Sequence, residues 1–456
     1  MDTLIRITNF MWDNIITYLL LGIGLLYTIR LGFPQFTKLG TAFSEAFGKV
    51  FKKKKPDEAG EVSSFQALAT AIAAQVGTGN IGGVASAILA GGPGAVFWMW
   101  ISGILGMSTI FGEAVLAQTY REEKDGAIYG GPSYYLTNGL KHKKLGKILA
   151  VMFSVFIIIA LGLVGNMVQS NSISLSLEQI GINPVVTGVA LAVIVGLIVI
   201  GGIQRISKFA ELVVPFMAII YFGGAIFVLV KFSSNIIPVF KAIFTSAFSA
   251  KAVLGGAVGF SVKQAIRLGL QRGLFSNEAG MGSTPHAHAV ADVPHPCNQG
   301  FVAMAGVIVD TIIICTLTAL IVLVTDAQNV AAVEGLKSVA VTQKGFEIAF
   351  GRAGEVFLAI ALTFFAFTTI VGWYYFGESN VVYLFGKKGL TPYRILVMAA
   401  VVAGTIFSAD NVWELSDFFN ALMVIPNVIG IFALSGVVKK KYEEWKELEK
   451  MKKVKR

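Results

Sequence analysis

The sequence predicts an all-α polytopic membrane protein, and three observations lead there. First, 55% of the 456 residues are hydrophobic and only 14% are charged, with mean hydropathy +0.71. A soluble chain carries about a quarter charged residues. Second, the apolar residues come in blocks of about 20, each long enough to cross a ~30 Å hydrocarbon core as a helix. Third, the chain lacks the alternating segments of about ten residues that a transmembrane β-barrel needs.

Eleven spans follow, at about 12–31, 65–91, 93–119, 146–176, 184–203, 209–231, 257–290, 299–325, 352–377, 393–410 and 413–437. The first has no clear small-residue cleavage site and reads as a retained span, not a signal peptide. The second is rich in Gly and broken in the middle. The seventh is also broken and carries Lys263, Arg267 and Arg272 in its first half.

Charge in the connecting loops sets the orientation. Lys52, Lys53, Lys54 and Lys55 lie in loop 30–62. Arg121, Lys124, Lys141, Lys143, Lys144 and Lys147 lie in loop 120–147. Arg205, Lys208, Lys387, Lys388 and Arg394 fall on the same side, as does the tail from Lys439 to Arg456. The basic side is cytoplasmic by the positive-inside rule, which puts the N-terminus outside and the C-terminus inside. The lysine runs read as flanks facing lipid headgroups. The net charge of +10 is thereby a matter of membrane topology. Nucleic-acid binding would need a basic face on a soluble domain, and none is visible.

Cys297 in a predicted loop and Cys315 inside a helix form neither a disulfide framework nor a metal spacing. His286, His288 and His295 share one short loop, expected to be solvated rather than metal-binding.

Spans two and seven look alike, about 200 residues apart. Span two reads Gln75-Val76-Gly77-Thr78-Gly79-Asn80-Ile81-Gly82-Gly83, and span seven reads Phe275-Ser276-Asn277-Glu278-Ala279-Gly280-Met281-Gly282-Ser283. Each begins a set of five spans. Five is odd, so the sets enter the membrane from opposite sides and form an inverted repeat. The predicted organisation is an extra helix and basic loop at 1–64, a first repeat at 65–232, a second at 257–437 and a basic tail at 438–456. Gly costs a helix interior about 1 kcal/mol relative to Ala, so Gly and polar residues at mid-membrane suggest unwound backbone. Such backbone survives only where protein or a water-filled cavity satisfies it. Paired broken helices in corresponding halves point to a transporter binding site. Glycines that merely allow close helix packing are the competing reading, and it suits Gly196, Gly201 and Gly202.

The stretch Gly91-Gly92-Pro93-Gly94-Ala95-Val96-Phe97-Trp98-Met99-Trp100 resembles the signature of the alanine or glycine:cation symporters. Residues Gly273 to Ser283 are similar to that family as well, and the resemblance covers essentially the whole chain. It implies the LeuT-type fold, two inverted repeats of five helices, and cation-coupled uptake of alanine or glycine. It also implies single residues. Val76 to Asn80 is similar to the unwound first core helix of sodium-coupled amino acid transporters. By that match the N–H groups of Thr78 and Gly79 hold the substrate carboxylate, with Gln75 in the same pocket. The Asn80 side chain and Gln75 carbonyl hold a first sodium, and the carbonyls of Ala73 and Val76 a second. Phe275 is a pocket aromatic, and Ser276 a hydroxyl near the first sodium. Thr368 and Thr369 resemble the hydroxyl pair at the second sodium, with the Phe365 carbonyl nearby. Ile370 is placed in the pocket, and Trp373, one turn beyond Thr369, would leave room only for a small side chain.

Several residues keep two readings. Glu278, an acid near mid-membrane, is by default functional. It would attract the substrate ammonium or carry a proton, or else pair with Arg272 or Arg267. Gly165, Asn166 and Gln169 line the pocket, or serve as packing and interhelical contacts. A lone Thr in a membrane helix usually bonds a neighbouring carbonyl, and Trp373 could be an interfacial belt residue. Glu113 and Asp310 are assigned to packing networks. The functional expectation is sodium-coupled symport of a small neutral amino acid across the plasma membrane by alternating access, with no cofactor besides the coupling ion. Neutral oxygen ligands favour Na⁺, a hard cation; a proton-coupled permease is the alternative. A channel would need a filter-like ring. An enzyme would need a nucleophile–base pair or metal ligands, and an ATP-driven pump a phosphate-binding loop; neither set is present. Oligomeric state is not legible.

Overall fold

The computed structural model describes residues 2–48, 61–124, 126–248 and 261–454. The Lys52–Lys55 run and residues 257–260 of the seventh predicted span lie outside the described residues.

Nearly every described residue is helical. In chain order the helices are α1 (Asp2–Arg30), α2 (Leu39–Phe47), α3 (Ser64–Gln75), α4 (Gly79–Gly91), α5 (Gly94–Thr119), α6 (Pro132–Gly139), α7 (Lys143–Glu178), α8 (Pro184–Val199), α9 (Gly202–Lys231) and α10 (Ile236–Phe248). They continue as α11 (Val262–Asn277), α12 (Pro285–Ala289), α13 (Pro296–Val324), α14 (Ala327–Glu334), α15 (Val339–Phe350), α16 (Arg352–Phe385), α17 (Leu390–Gly404), α18 (Ala409–Ala433) and α19 (Ser435–Val454). The one sheet among the described residues is a hairpin of β1 (Glu122–Lys124) and β2 (Ala127–Tyr129) between α5 and α6. Seven helical stretches are long and apolar enough to cross a membrane, and α3 with α4 makes an eighth if that bent pair is one span. The chain is therefore an all-α multi-pass membrane protein.

Two breaks shape the interior. Ser63 opens α3 with a capping box: its hydroxyl accepts from Gln66 N–H, and the Gln66 side chain accepts from Ser63 N–H. The helix stops at Gln75 because Val76 leaves helical geometry (φ −83°, ψ 89°), and α4 sets off at 51°. Gly77 fits this bend because a Cβ there would lie 2.5 Å from Thr369 Oγ1. The second break follows α11. Glu278 is left-handed (φ 56°), and Gly280 and Gly282 have φ of 84° and 82°, so the chain unwinds before α12. Glu113 of α5 satisfies that segment, accepting from Gly280 N–H at 2.9 Å, Gly282 N–H at 3.0 Å and Asn427 Nδ2 at 2.7 Å. A side chain thus does what water cannot do at membrane depth. Both interruptions fall within the two aligned segments.

Elsewhere the structure corrects the sequence reading. His286 and His288 are buried, not solvated. His286 donates from Nδ1 to Ser283 O at 2.7 Å and accepts from Asn380 Nδ2 at 2.8 Å, while His288 Nδ1 accepts from Gln299 Nε2 at 2.8 Å. Cys297 lies in the first turn of α13, buried, rather than in a loop. The helix of span nine runs 34 residues, past the expected end at 377, because Glu378, Ser379 and Asn380 are buried and Glu378 and Asn380 have polar partners. Arg267 pairs with Asp13, and Arg272 with Asp417 at 3.2 Å, so neither reaches Glu278.

Candidate functional site

The site gathers where the broken pair α3/α4 meets α7, α11, α13 and α16. Three of these elements carry a wide π-helical turn there: Gly79–Gly83 in α4, Ile158–Gly165 in α7 and Ile308–Cys315 in α13. Such turns are frequent at functional sites, since they redirect side chains without ending the helix.

On one side of the break the end of α3 presents carbonyls without intrahelical partners. Thr369 Oγ1 of α16 lies 3.0 Å from Ala73 O, 3.3 Å from Val76 O and 3.1 Å from Phe365 O. One hydroxyl hydrogen cannot serve three carbonyls, so the point is rich in acceptors. Neutral oxygens converging in this way suit a hard cation. Thr368 Oγ1 joins the cluster at one remove, 2.8 Å from Phe365 O, with Met217 Sδ on its other side.

On the other side a second polar cluster forms about Asp310. Its carboxylate accepts from Asn80 Nδ2 at 2.6 Å, Ser276 Oγ at 2.8 Å and Thr311 Oγ1 at 2.7 Å. Asn80 also meets Ser276 Oγ at 2.9 Å, and its side-chain oxygen accepts from Gly77 N–H at 3.0 Å. Gln75 turns its amide to Asn277 O at 2.6 Å and so ties the two breaks together. Asn80 and Ser276 are therefore adjacent. The sequence reading placed Asp310 in a packing network, and the network it joins is this cluster. A single acid in the apolar run of span eight was the available signal. Its partner Asn80 is 230 residues away, and nothing local announces the pairing. Among the described residues no Lys or Arg bonds this buried carboxylate, and an unpaired buried charge is costly. For Asp310→Asn we expect the affinity for a cation bound at this cluster to fall about tenfold or more, the scale of one charged hydrogen-bond partner. A cation titration of the purified protein checks this, and an unchanged curve would return Asp310 to packing.

Between the clusters Thr78, Gln169, Phe275, Glu278 and Trp373 are buried together. Thr78 N–H donates to Gln169 Oε1 at 3.2 Å, and among the described residues the buried Thr78 hydroxyl has no hydrogen-bond partner. The Phe275 ring lies against Gly79, where a Cβ would be 3.2 Å from it, and meets Trp373 edge-on with centroids 6.4 Å apart. Trp373 donates from Nε1 to Glu278 Oε1 at 2.7 Å, and Ser283 Oγ bonds Glu278 Oε2. Pairing of Glu278 with Arg272 or Arg267 is thus replaced by a bond to the pocket indole. Gly165 lies beneath Trp373, and a Cβ there would come within 2.7 Å of the ring. Ile370 and Trp373, three apart on α16, are both buried. Asn166 turns away and donates to Gly162 O at 3.0 Å, a helix contact. Two features escaped the sequence. Trp413 of α18 lies on Phe275 (5.7 Å), and the Arg272 guanidinium lies 5.4 Å from the Trp413 centroid. Beyond Trp413 a cavity of about 380 Å³ opens between α7, α15 and α18.

Fold and site together define a multi-pass membrane protein whose polar centre lies at two helix breaks, the architecture of a carrier. The whole chain, residues 1–456, matches the sodium:alanine symporter family, and it belongs to that family. It is 41% identical over 446 residues to the sodium/alanine symporter AgcS of Methanococcus maripaludis, covering 97% of each chain. The amino-acid carrier protein AlsT of Bacillus subtilis is 40% identical over 452 residues, covering 98% of this chain and 93% of its own. From the same organism, the probable sodium/glutamine symporter GlnT is 40% identical over 441 residues, covering 96% and 89%. The protein is a membrane transporter and not an enzyme.

Proposed function

We propose that the protein couples inward sodium flow to uptake of a small neutral amino acid, alanine or glycine. The observation that carries this reading is the convergence of Ala73 O, Val76 O and Phe365 O on the Thr369 hydroxyl, one helical turn from Trp373. The Thr369 cluster holds one sodium, and Asn80, Ser276 and Asp310 hold a second cation beside the substrate. The Thr78 hydroxyl and the Thr78 and Gly79 amides meet the substrate carboxylate, with Gln169 yielding its bond to Thr78. Glu278 faces the ammonium. Trp373, Gly165, Phe275 and Ile370 limit the side chain, which favours alanine over the larger substrate named for the glutamine relative.

The eleven-span arrangement goes with this reading, with α16 and α17 as separate spans, as a LeuT-type pair of inverted five-helix repeats after the extra α1. The basic side faces the cytoplasm, so the N-terminus is outside. Transport proceeds by alternating access, and sodium and substrate stabilise each other by one reciprocal coupling free energy. Radiolabelled alanine uptake into proteoliposomes under an inward sodium gradient, compared with an inward proton gradient, tests the reading. Accumulation that needs sodium is expected. Accumulation driven by protons alone would move the coupling to Glu278, and none under either gradient would remove alanine as substrate.

A further inference from the structure

At the basic end of the molecule two amphipathic elements hang on the same membrane helix. After α1 the chain turns at Gly32 (φ 72°) and Phe33 (φ 57°), and α2 follows. Its Ala42 and Ala46 are buried, and the helix packs on α13. Its other face carries Leu39, Phe43 and Phe47, all exposed and spaced four apart, which is one stripe of a helix. Such a stripe covers none of the described residues, and a single exposed apolar side chain would need no explanation where three in register do.

The second element is α19, which leaves the last membrane helix directly. Its inner face is buried through Tyr442 and Trp445, which lie 5.7 Å from Phe111 of α5 and 4.7 Å from Phe301 of α13. Those contacts hold α19 at the level of the membrane-helix ends. Lys38, just before α2, sits 5.4 Å over the Trp445 ring and links the two elements. Past Trp445 the helix continues for nine residues, about 13 Å at the rise of an α-helix. There Leu448, Met451 and Val454 are exposed at a spacing of three, with Met451 at 54% and Val454 at 87%. Seven Lys against four Glu leave α19 with three positive charges.

We propose that α2 and the distal half of α19 form one docking platform for anionic phospholipid headgroups. The aromatic stripe of α2 seats at the headgroup–acyl boundary. The lysines of α19 lie on the phosphates, and Leu448 and Met451 dip below them. An amphipathic helix with an apolar stripe and a lysine-rich flank binds in this way, with each lysine near the surface contributing about 1 kcal/mol. A free face of this kind would otherwise meet a second copy of the chain or water. The net positive charge selects the anionic surface, since two copies would bring like charges together.

The test uses the full chain with Met451→Cys carrying an NBD fluorophore, reconstituted in phosphatidylcholine vesicles with and without about a third phosphatidylglycerol. We expect about a twofold or greater rise in emission in the anionic vesicles only, reversed by ~1 M salt, where the Debye length falls to about 3 Å. K446E/K450E in the same labelled chain should abolish the rise. A label on Phe43→Cys should report an apolar setting in both lipids. Equal emission at position 451 in the two mixtures overturns the proposal. So does a rise that follows the protein-to-lipid ratio at fixed composition, which would mean a second copy covers the stripe. None of these readouts depends on transport.

Discussion

Trp373→Ala opens the pocket to leucine and methionine. The indole is fixed on three sides, by its bond to Glu278, by the Phe275 ring and by Gly165 beneath it. Truncation removes the wall facing the substrate side chain while leaving the Thr369 cluster one turn away intact. Burying a leucine side chain contributes about 1.5–3 kcal/mol, or roughly 10- to 150-fold in affinity. Leucine, which should not compete with alanine in the parent protein, should then compete in the variant by about that factor. Alanine should bind more weakly, since the enlarged pocket no longer fits it. Because Trp373 also orients Glu278, Trp373→Phe separates the two roles. It keeps most of the ring and drops the bond, so it should weaken alanine uptake without admitting leucine. Competition assays with labelled alanine decide the matter. If leucine stays inert against Trp373→Ala while alanine is still taken up, Trp373 does not bound the side chain.

Thr369→Ala should cost more sodium affinity than Thr368→Ala. Thr369 Oγ1 stands within 3.3 Å of three carbonyl oxygens from two helices, whereas Thr368 Oγ1 touches Phe365 O alone among them. Removing an oxygen that interacts with a charge costs about 1.5–3 kcal/mol. The sodium concentration for half-maximal uptake should therefore rise about 10- to 150-fold for Thr369→Ala, and by a few-fold for Thr368→Ala. Thr369→Ser keeps the hydroxyl and should restore most of the loss. Equal, small effects of both substitutions would mean that the pair only caps its own helix, the commoner role of Thr in membrane helices.

How much of this could be read from the chain depended on range. The break after Gln75 was legible because Gly77, Gly79, Gly82 and Gly83 crowd a run that is otherwise apolar. The convergence of Ala73, Val76, Phe365 and Thr369 was named through motif resemblance, and the structure brings them within hydrogen-bond distance. The partners of Asp310 were not legible because they come from α4, α11 and its own neighbour Thr311, which only folding brings together. His286 and His288 read as a solvated loop because polarity was taken for exposure; buried polar side chains are stable once each has a partner, and Asn380 and Gln299 supply it. The continuation of α16 to Phe385 was invisible to hydropathy for the same reason. Trp413 and Arg272 meet over Phe275 from segments about 140 residues apart, and no periodicity carries that.

The central claim is that sodium and amino acid occupy one coupled site at the two helix breaks. The most direct measurement is alanine affinity of the purified protein in sodium and in choline, paired with sodium affinity with and without alanine. Linkage requires both to change by the same factor, between about 5- and 150-fold for an ordinary coupling of 1–3 kcal/mol. The account predicts that equality, and predicts that Thr369→Ala shrinks both factors together. Alanine binding that is the same in choline as in sodium would contradict it.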